Sequence, residues 1–134
     1  MLESRNGFPI MHRIGIDLVE IARLSRALRQ SSMLLQRTFS EKEIQAAGQL
    51  GEARRHEYLA GRLAVKEAVL KALRLGIEDA AKMKEIEVLS QPNGSPCLQL
   101  VGSVARIASE SGFSDWQVSI SHEGGMAAAF VLLS

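Results

Sequence analysis

The apolar positions of this chain change their period along its length, and the changes mark its elements. In Arg13-Ile14-Gly15-Ile16-Asp17-Leu18-Val19, the side chains of Ile14, Ile16 and Leu18 alternate with Gly15, Asp17 and Val19, the two-residue repeat of a short strand. Asp17 therefore stands on the face opposite the isoleucines. From Glu20 to Arg29 the spacing lengthens: Ile21, Leu24 and Leu28 share one side of a helix, and Arg23, Arg26 and Arg29 give it a basic edge. Ser40-Glu41-Lys42-Glu43 has the form of a capping box, in which the serine hydroxyl accepts from the Glu43 amide and the Glu43 carboxylate reaches back. A helix is expected to begin at Glu41 and to end between Gly48 and Gly51.

The longest helical pattern runs from Glu52 to Leu75, with Gly76 as its expected stop. Its apolar side chains cover nearly every direction of the helical wheel. Two polar stripes interrupt them, one of Arg55, Arg62 and Lys66, the other of His56, Glu67, Lys71 and Arg74. A helix this apolar is expected to be covered on most sides, with its charged stripes facing specific partners. Beyond it, Glu85–Ser90 and Cys97–Leu100 read as strands of a hairpin closed by Pro92-Asn93-Gly94-Ser95-Pro96. Residues 101–111 are helical in pattern, and Trp116–His122 and Met126–Leu133 read as strands joined by Glu123-Gly124-Gly125. Four or five strands and four helices make an α+β domain, an antiparallel sheet packed with a long central helix. Residues 1–10 carry no periodic pattern and are expected to form a flexible leader, with Met11 as an alternative start and residues 11–134 as the single domain.

Composition narrows the class. The 134 residues suit one domain, and 46% hydrophobic with 23% charged residues suits a globular one. Sixteen Lys and Arg against fifteen Asp and Glu leave a net charge of +1, which argues against a dedicated nucleic-acid binder. Cys97, the single cysteine, has no internal disulfide partner, and with the three histidines it fits no zinc-ligand spacing. No apolar run has the length of a membrane span, and the first residues resemble neither a signal nor a transit peptide. A cytoplasmic protein is the expectation.

Three places invite chemistry. Asp17 is a carboxylate within an apolar strand, either an edge residue facing solvent or a buried group that needs a partner. Glu67 has Leu63, Ala64 and Leu70 as helical neighbours, and its alternatives are an ion pair with Lys71 or a functional role. Ser119-Ile120-Ser121-His122 ends a strand on a histidine, although Ser121 and His122 point to opposite faces and cannot act as a nucleophile and base pair. Two carboxylates, one on a strand and one on a long helix, suit Mg²⁺, which takes one or two carboxylates with water and substrate phosphates. Lys71 would then offer its ammonium to a phosphate oxygen. Neither a Walker loop nor a GxGxxG is present.

Four segments in order carry a resemblance: GIDLVEIARL from Gly15, LAGRLAVKEAVLKAL from Leu59, NGSP from Asn93 and VSISHEGGMAAAFV from Val118. Together they resemble the 4′-phosphopantetheinyl transferases of the short, trimeric holo-acyl-carrier-protein synthase type, over Met11 to Leu133. Thr38-Phe39-Ser40 with Glu43 is similar to that family's second-helix entry. The resemblance implies Mg²⁺-dependent transfer of the 4′-phosphopantetheine arm from coenzyme A to a serine of apo acyl carrier protein, releasing adenosine 3′,5′-bisphosphate. It implies Asp17 and Glu67 as metal ligands, with Lys71 beside them in catalysis and near the phosphates. His122, Arg62, Arg54, Gly94 and Pro96 would join Lys71 around coenzyme A, with Arg62 and Arg54 alternatively pairing with subunit carboxylates. A basic first helix would receive the acidic carrier protein, with Arg23 at the matching position; Arg26 is either a further docking residue or, like Arg29, part of a solvated helix edge. A homotrimer with sites between subunits is part of the same expectation. Two competing functions keep the fold: a catalytically silent module that binds coenzyme A or a carrier protein, and an unrelated Mg²⁺-dependent phosphohydrolase.

Overall fold

The structure, a computed structural model, describes residues 11–134; the expected leader over residues 1–10 lies outside them. Five strands and five α-helices follow one another as β1 (Arg13–Glu20), α1 (Ile21–Gln30), α2 (Leu34–Thr38), α3 (Glu41–Gly48), α4 (Glu52–Ala72), a 3-10 segment (Ile77–Glu85), β2 (Ile86–Ser90), β3 (Pro96–Leu100), α5 (Gly102–Glu110), β4 (Trp116–Glu123) and β5 (Met126–Leu133). The strands form two antiparallel sheets rather than one. The first has the order β1-β5-β4, and the second is the β2-β3 hairpin. The expected hairpin turn is present, with Gly94 at φ 86° and its amide donating to the Gln91 carbonyl at 2.8 Å.

Helix α4 is the axis of the molecule. Leu59, Ala60, Ala64, Val65, Ala68 and Val69 are buried along it, and the inner face of β5 meets it with Ala127, Ala129, Val131 and Leu133. Small side chains at this contact let the sheet and helix approach closely. At Gly15 of β1 the approach has no slack: a Cβ there would lie 1.9 Å from the Ala68 carbonyl oxygen.

Three further features depart from the sequence expectations. The one-turn helix α2 and the 3-10 segment lack a clear hydrophobic period and were not expected. Helix α4 stops before Gly76: Arg74 adopts φ 60°, with the Leu75 amide donating to the Leu70 carbonyl and the Arg74 amide to that of Lys71. This is a Schellman end with an arginine in the left-handed position usually taken by glycine. Finally, the apolar face of β1 is the outer one. Ile14, Ile16 and Leu18 are 64%, 61% and 62% exposed, while Gly15, Asp17 and Val19 face α4.

Candidate active site

Close contact between β1 and α4 brings three of the expected residues together. The Lys71 ammonium donates to Asp17 Oδ1 at 2.6 Å and to the Ile16 carbonyl at 3.2 Å. The Asp17 side chain is only 11% exposed, so its reading as a solvent-facing edge residue is overturned. Its second oxygen, Oδ2, is buried with no hydrogen-bond partner. The Glu67 carboxyl is close enough to Asp17 for the two to interact electrostatically. Burial first, then the adjoining Asp17 carboxylate, pushes the Glu67 carboxyl up to about 8, with Lys71 pulling it the other way. Lys71 therefore does not simply complete a helical ion pair with Glu67; its direct bond is to the strand.

This donor set fits a hard divalent cation. Two carboxylates meet, one oxygen is orphaned in a buried position, and burial together with the neighbouring carboxylate raises the pKa of Glu67, a shift that a bound cation would oppose. Among the described residues no group of three or more His, Cys, Asp or Glu side chains could hold a metal, so such a cation would take its remaining ligands from water or substrate.

Glu67 also opens into a cleft of about 1120 Å³. Helix α1 lines it with Arg23, Leu24 and Ala27, helix α2 with Leu34 and Arg37, and the 3-10 segment with Met83 and Lys84. Arg23 thus shares one cleft with Glu67. Arg26 does not line it and lies 3.8 Å from Glu20 in an exposed ion pair, while Arg29 donates to the Ser25 hydroxyl at 2.8 Å.

The other expected residues stand apart from this cluster. His122 Nε2 is 2.9 Å from the Glu57 carbonyl, and Gly61 leaves the room for its ring, since a Cβ there would lie 3.0 Å from Nε2. Glu57 is ten residues before Glu67, or ~15 Å along the helix axis. Arg62 is 7% exposed, its guanidinium 3.7 Å over the Tyr58 ring and donating to the Ser90 hydroxyl at 2.9 Å. Arg62 Nε and the Tyr58 hydroxyl are both buried without partners. Gly94 in the turn and Pro96 at the start of β3 belong to the β2-β3 hairpin, beyond Ser90, and Arg54 is exposed at the start of α4. His122 and Arg62 therefore do not touch Asp17, Glu67 or Lys71 within one chain, although both had been expected nearby.

Sequence reasoning missed the partner of Lys66. Its ammonium is fully buried, 2.8 Å from Glu43 Oε1 and 2.9 Å from the Met83 carbonyl, and it also donates to the Ile86 carbonyl. Glu43 is the capping-box residue of α3, and its other oxygen accepts from the Val88 amide at 2.8 Å. The capping box was visible in the sequence; its second role was not, because both partners are distant along the chain.

Comparison with known proteins decides the family. The model of the 4′-phosphopantetheinyl transferase superfamily matches residues 13–131. The chain belongs to that superfamily. A holo-[acyl-carrier-protein] synthase of Salinispora arenicola is 41% identical over 119 residues, covering 89% of this chain and 94% of the relative. Among solved structures, the ACPS–CoA complex of Chronobacterium ammoniagenes superposes with a TM-score of 0.80 at 34% identity, covering 93% of this chain and 98% of that one. The Helicobacter pylori holo-[acyl-carrier-protein] synthase in complex with coenzyme A gives 0.74 at 31% identity, over 90% and 99%. The protein is thus an enzyme, a phosphopantetheinyl transferase of the holo-acyl-carrier-protein synthase type.

Proposed function

We propose that this transferase moves the 4′-phosphopantetheine arm from coenzyme A to a serine of apo acyl carrier protein, in a Mg²⁺-dependent reaction that releases adenosine 3′,5′-bisphosphate. The observation that carries the reading is the meeting of Asp17, Glu67 and Lys71, with Asp17 Oδ2 buried and unpaired. Asp17 and Glu67 would hold the cation, which when bound neutralises charge developing on the diphosphate oxygens. Lys71, 59% exposed, is free to exchange part of its contact with Asp17 for a phosphate oxygen and to protonate the leaving group. A carbonyl only accepts, so His122 bonds Glu57 through its Nε2 proton, and an anion would be met by Nδ1 only when that nitrogen also carries a proton. The orphaned Nε of Arg62 supports an anion at the hairpin side.

The outer face of β1 supports the trimer. Ile14, Ile16, Leu18 and Phe130, which pairs with Ile16 across β1 and β5, expose a contiguous apolar strip of the kind that subunit contacts cover. Sites built between subunits would also let one chain's His122 and Arg62 serve another chain's carboxylates.

Intact mass of an apo acyl carrier protein after incubation with enzyme, coenzyme A and Mg²⁺ tests the reading. A gain of ~340 Da, abolished by a chelator, is expected. Coenzyme A bound without any gain would leave the silent binding module. Sedimentation is expected to give a trimer's mass, and a monomer at micromolar concentration would remove the shared site.

A further inference from the structure

Helix α4 carries one interior glycine, Gly61, at a buried position. A glycine inside a helix costs stability relative to alanine, and this helix uses alanine where it needs only a small residue, at Ala60, Ala64 and Ala68. What Gly61 supplies beyond alanine is the volume of one methyl group. A Cβ there would lie 3.0 Å from His122 Nε2, 3.5 Å from His122 Cε1 and 3.0 Å from Ile120 Cγ2. The contact differs from that of Gly15, whose Cβ would strike backbone; at Gly61 the neighbours are side chains of β4.

Two parts of one helix face hold the imidazole. Glu57 stands four residues before Gly61, so its carbonyl and the missing side chain belong to adjacent turns of the same face. His122 Nε2 lies 2.9 Å from that carbonyl while the ring edge fills the space over Gly61. Strand register explains how the ring reaches α4. His122 pairs with Ala127, and Ala127 with Val19, on the inner face of the sheet. Beyond this contact His122 is exposed, so the helix holds the ring without enclosing it.

We propose that Gly61 is a positioning residue for coenzyme A binding: its missing side chain lets His122 seat against α4 with Nε2–H on the Glu57 carbonyl, leaving Nδ1 as the ring nitrogen open to the ligand. This rests on the function proposed above, which places His122 around coenzyme A. A methyl group at position 61 meets two neighbours of unequal freedom. Ile120 packs against the core, whereas the exposed imidazole swings outward, and the Glu57 carbonyl is fixed in the helix and cannot follow it. The ring then loses the hydrogen bond that selects its tautomer, and a displaced binding group weakens the ligand.

The test uses the full chain as Gly61→Ala, His122→Ala and the double variant. Affinity for coenzyme A is measured by calorimetry without any carrier protein. His122→Ala is expected to weaken it about tenfold, as for a lost hydrogen bond to a charged group, and Gly61→Ala about threefold. The double variant is expected to bind no more weakly than His122→Ala, because without the ring there is nothing for the methyl group to displace. Ring-nitrogen NMR of the ligand-free protein, with the His122 signal assigned by its loss in His122→Ala, is expected to show the Nε2–H tautomer in the parent and a mixture in Gly61→Ala. Unchanged coenzyme A affinity in Gly61→Ala would overturn the proposal, and so would a double variant weaker than His122→Ala. An Nδ1–H tautomer in the parent would overturn it without any variant, since that ring cannot donate to the Glu57 carbonyl. A chain that binds coenzyme A and never transfers the arm refutes the proposed function, while these affinities still decide the role of Gly61.

Discussion

Two lysine–carboxylate pairs sit five residues apart on the same helix, and they are built to opposite standards. Lys66 and Glu43 are both fully buried, at 2.8 Å, and every nearby polar atom has a use: Lys66 donates to two carbonyls as well, and Glu43 accepts from the Ser40 and Val88 amides. Burial lowers the Lys66 pKa, and Glu43 opposes that shift. Lys71 and Asp17 are as close, at 2.6 Å, yet Lys71 is largely solvated, Asp17 Oδ2 has no partner, and Glu67 crowds the same spot with a second carboxyl. The first pair is complete without any ligand and joins α3, α4 and β2. The second is incomplete in a way that only a cation, and a substrate carrying its own oxygens, would repair. Satisfaction of hydrogen-bonding capacity, more than proximity of charge, separates the pair that holds the fold from the pair that serves chemistry.

The largest effect is expected at the complete pair. Lys66→Ala leaves Glu43 charged and unpaired in the core and should cost ~3–5 kcal/mol in urea unfolding. Lys66→Met combined with Glu43→Leu should recover part of that loss, because the unpaired charge is gone while the Met83 and Ile86 carbonyls and the Val88 amide lose their partners. A double variant as unstable as the single one would show that the pair itself stabilises the fold.

At the incomplete pair the effects should fall on activity. Asp17→Ala and Glu67→Ala are each expected to reduce transfer by at least about a hundredfold, comparable to losing one preorganised charge-stabilising group, with unfolding midpoints near that of the parent. Normal turnover in either would remove the carboxylates from the metal site. Gly15→Ala addresses the geometry that joins the two halves of that site. The new methyl group meets the Ala68 carbonyl, so a loss of ~1–3 kcal/mol is expected together with reduced transfer. Full activity would mean that Asp17 reaches Glu67 without that close approach.

The smallest effect is a pH signature of the metal-free protein. Glu67 is raised from 4.5 to about 8 on folding, so its proton favours the folded state fully below 4.5 and that contribution is lost as pH rises through about 8. Glu67→Gln removes the titration. In chelator, the variant should melt like the parent at acid pH and above it at alkaline pH, and Mg²⁺ should stabilise only the parent. A gap that is the same at both ends would show that Glu67 carries no shared charge with Asp17.

The candidate site was legible to a limited depth. Asp17 stands out because a carboxylate in an apolar strand is costly, and Glu67 because its helical neighbours are apolar; both arguments need only local spacing. The same spacing suggested that Lys71 pairs with Glu67, whereas its bond goes to Asp17, 54 residues away along the chain. Helical spacing put Arg23 and Arg26 on one basic edge, where Arg26 could dock a partner or lie in solvent; Arg23 turns into the cleft and Arg26 pairs with Glu20 at the surface. Arg37 and Lys84, which also line the cleft, had no signal at all, since α2 is only five residues long and the 3-10 segment does not follow the α-helical period.

Sequence alone determined the elements with strong periodicity, the capping box at Ser40, the Asn-Gly turn and the covered character of α4, because each depends on residues within a few positions of one another. Only the tertiary structure decided which face of β1 lies inward. Alternation defines two faces without saying which one meets the helix, and here the small and polar face goes in because Gly15 must touch Ala68. Helix α5 shows the same division: its period is local, but the Ser103 amide is capped by Glu85, 18 residues earlier, at 2.8 Å. Long-range partners are chosen by packing, and packing joins segments whose spacing in the chain carries no trace of the contact.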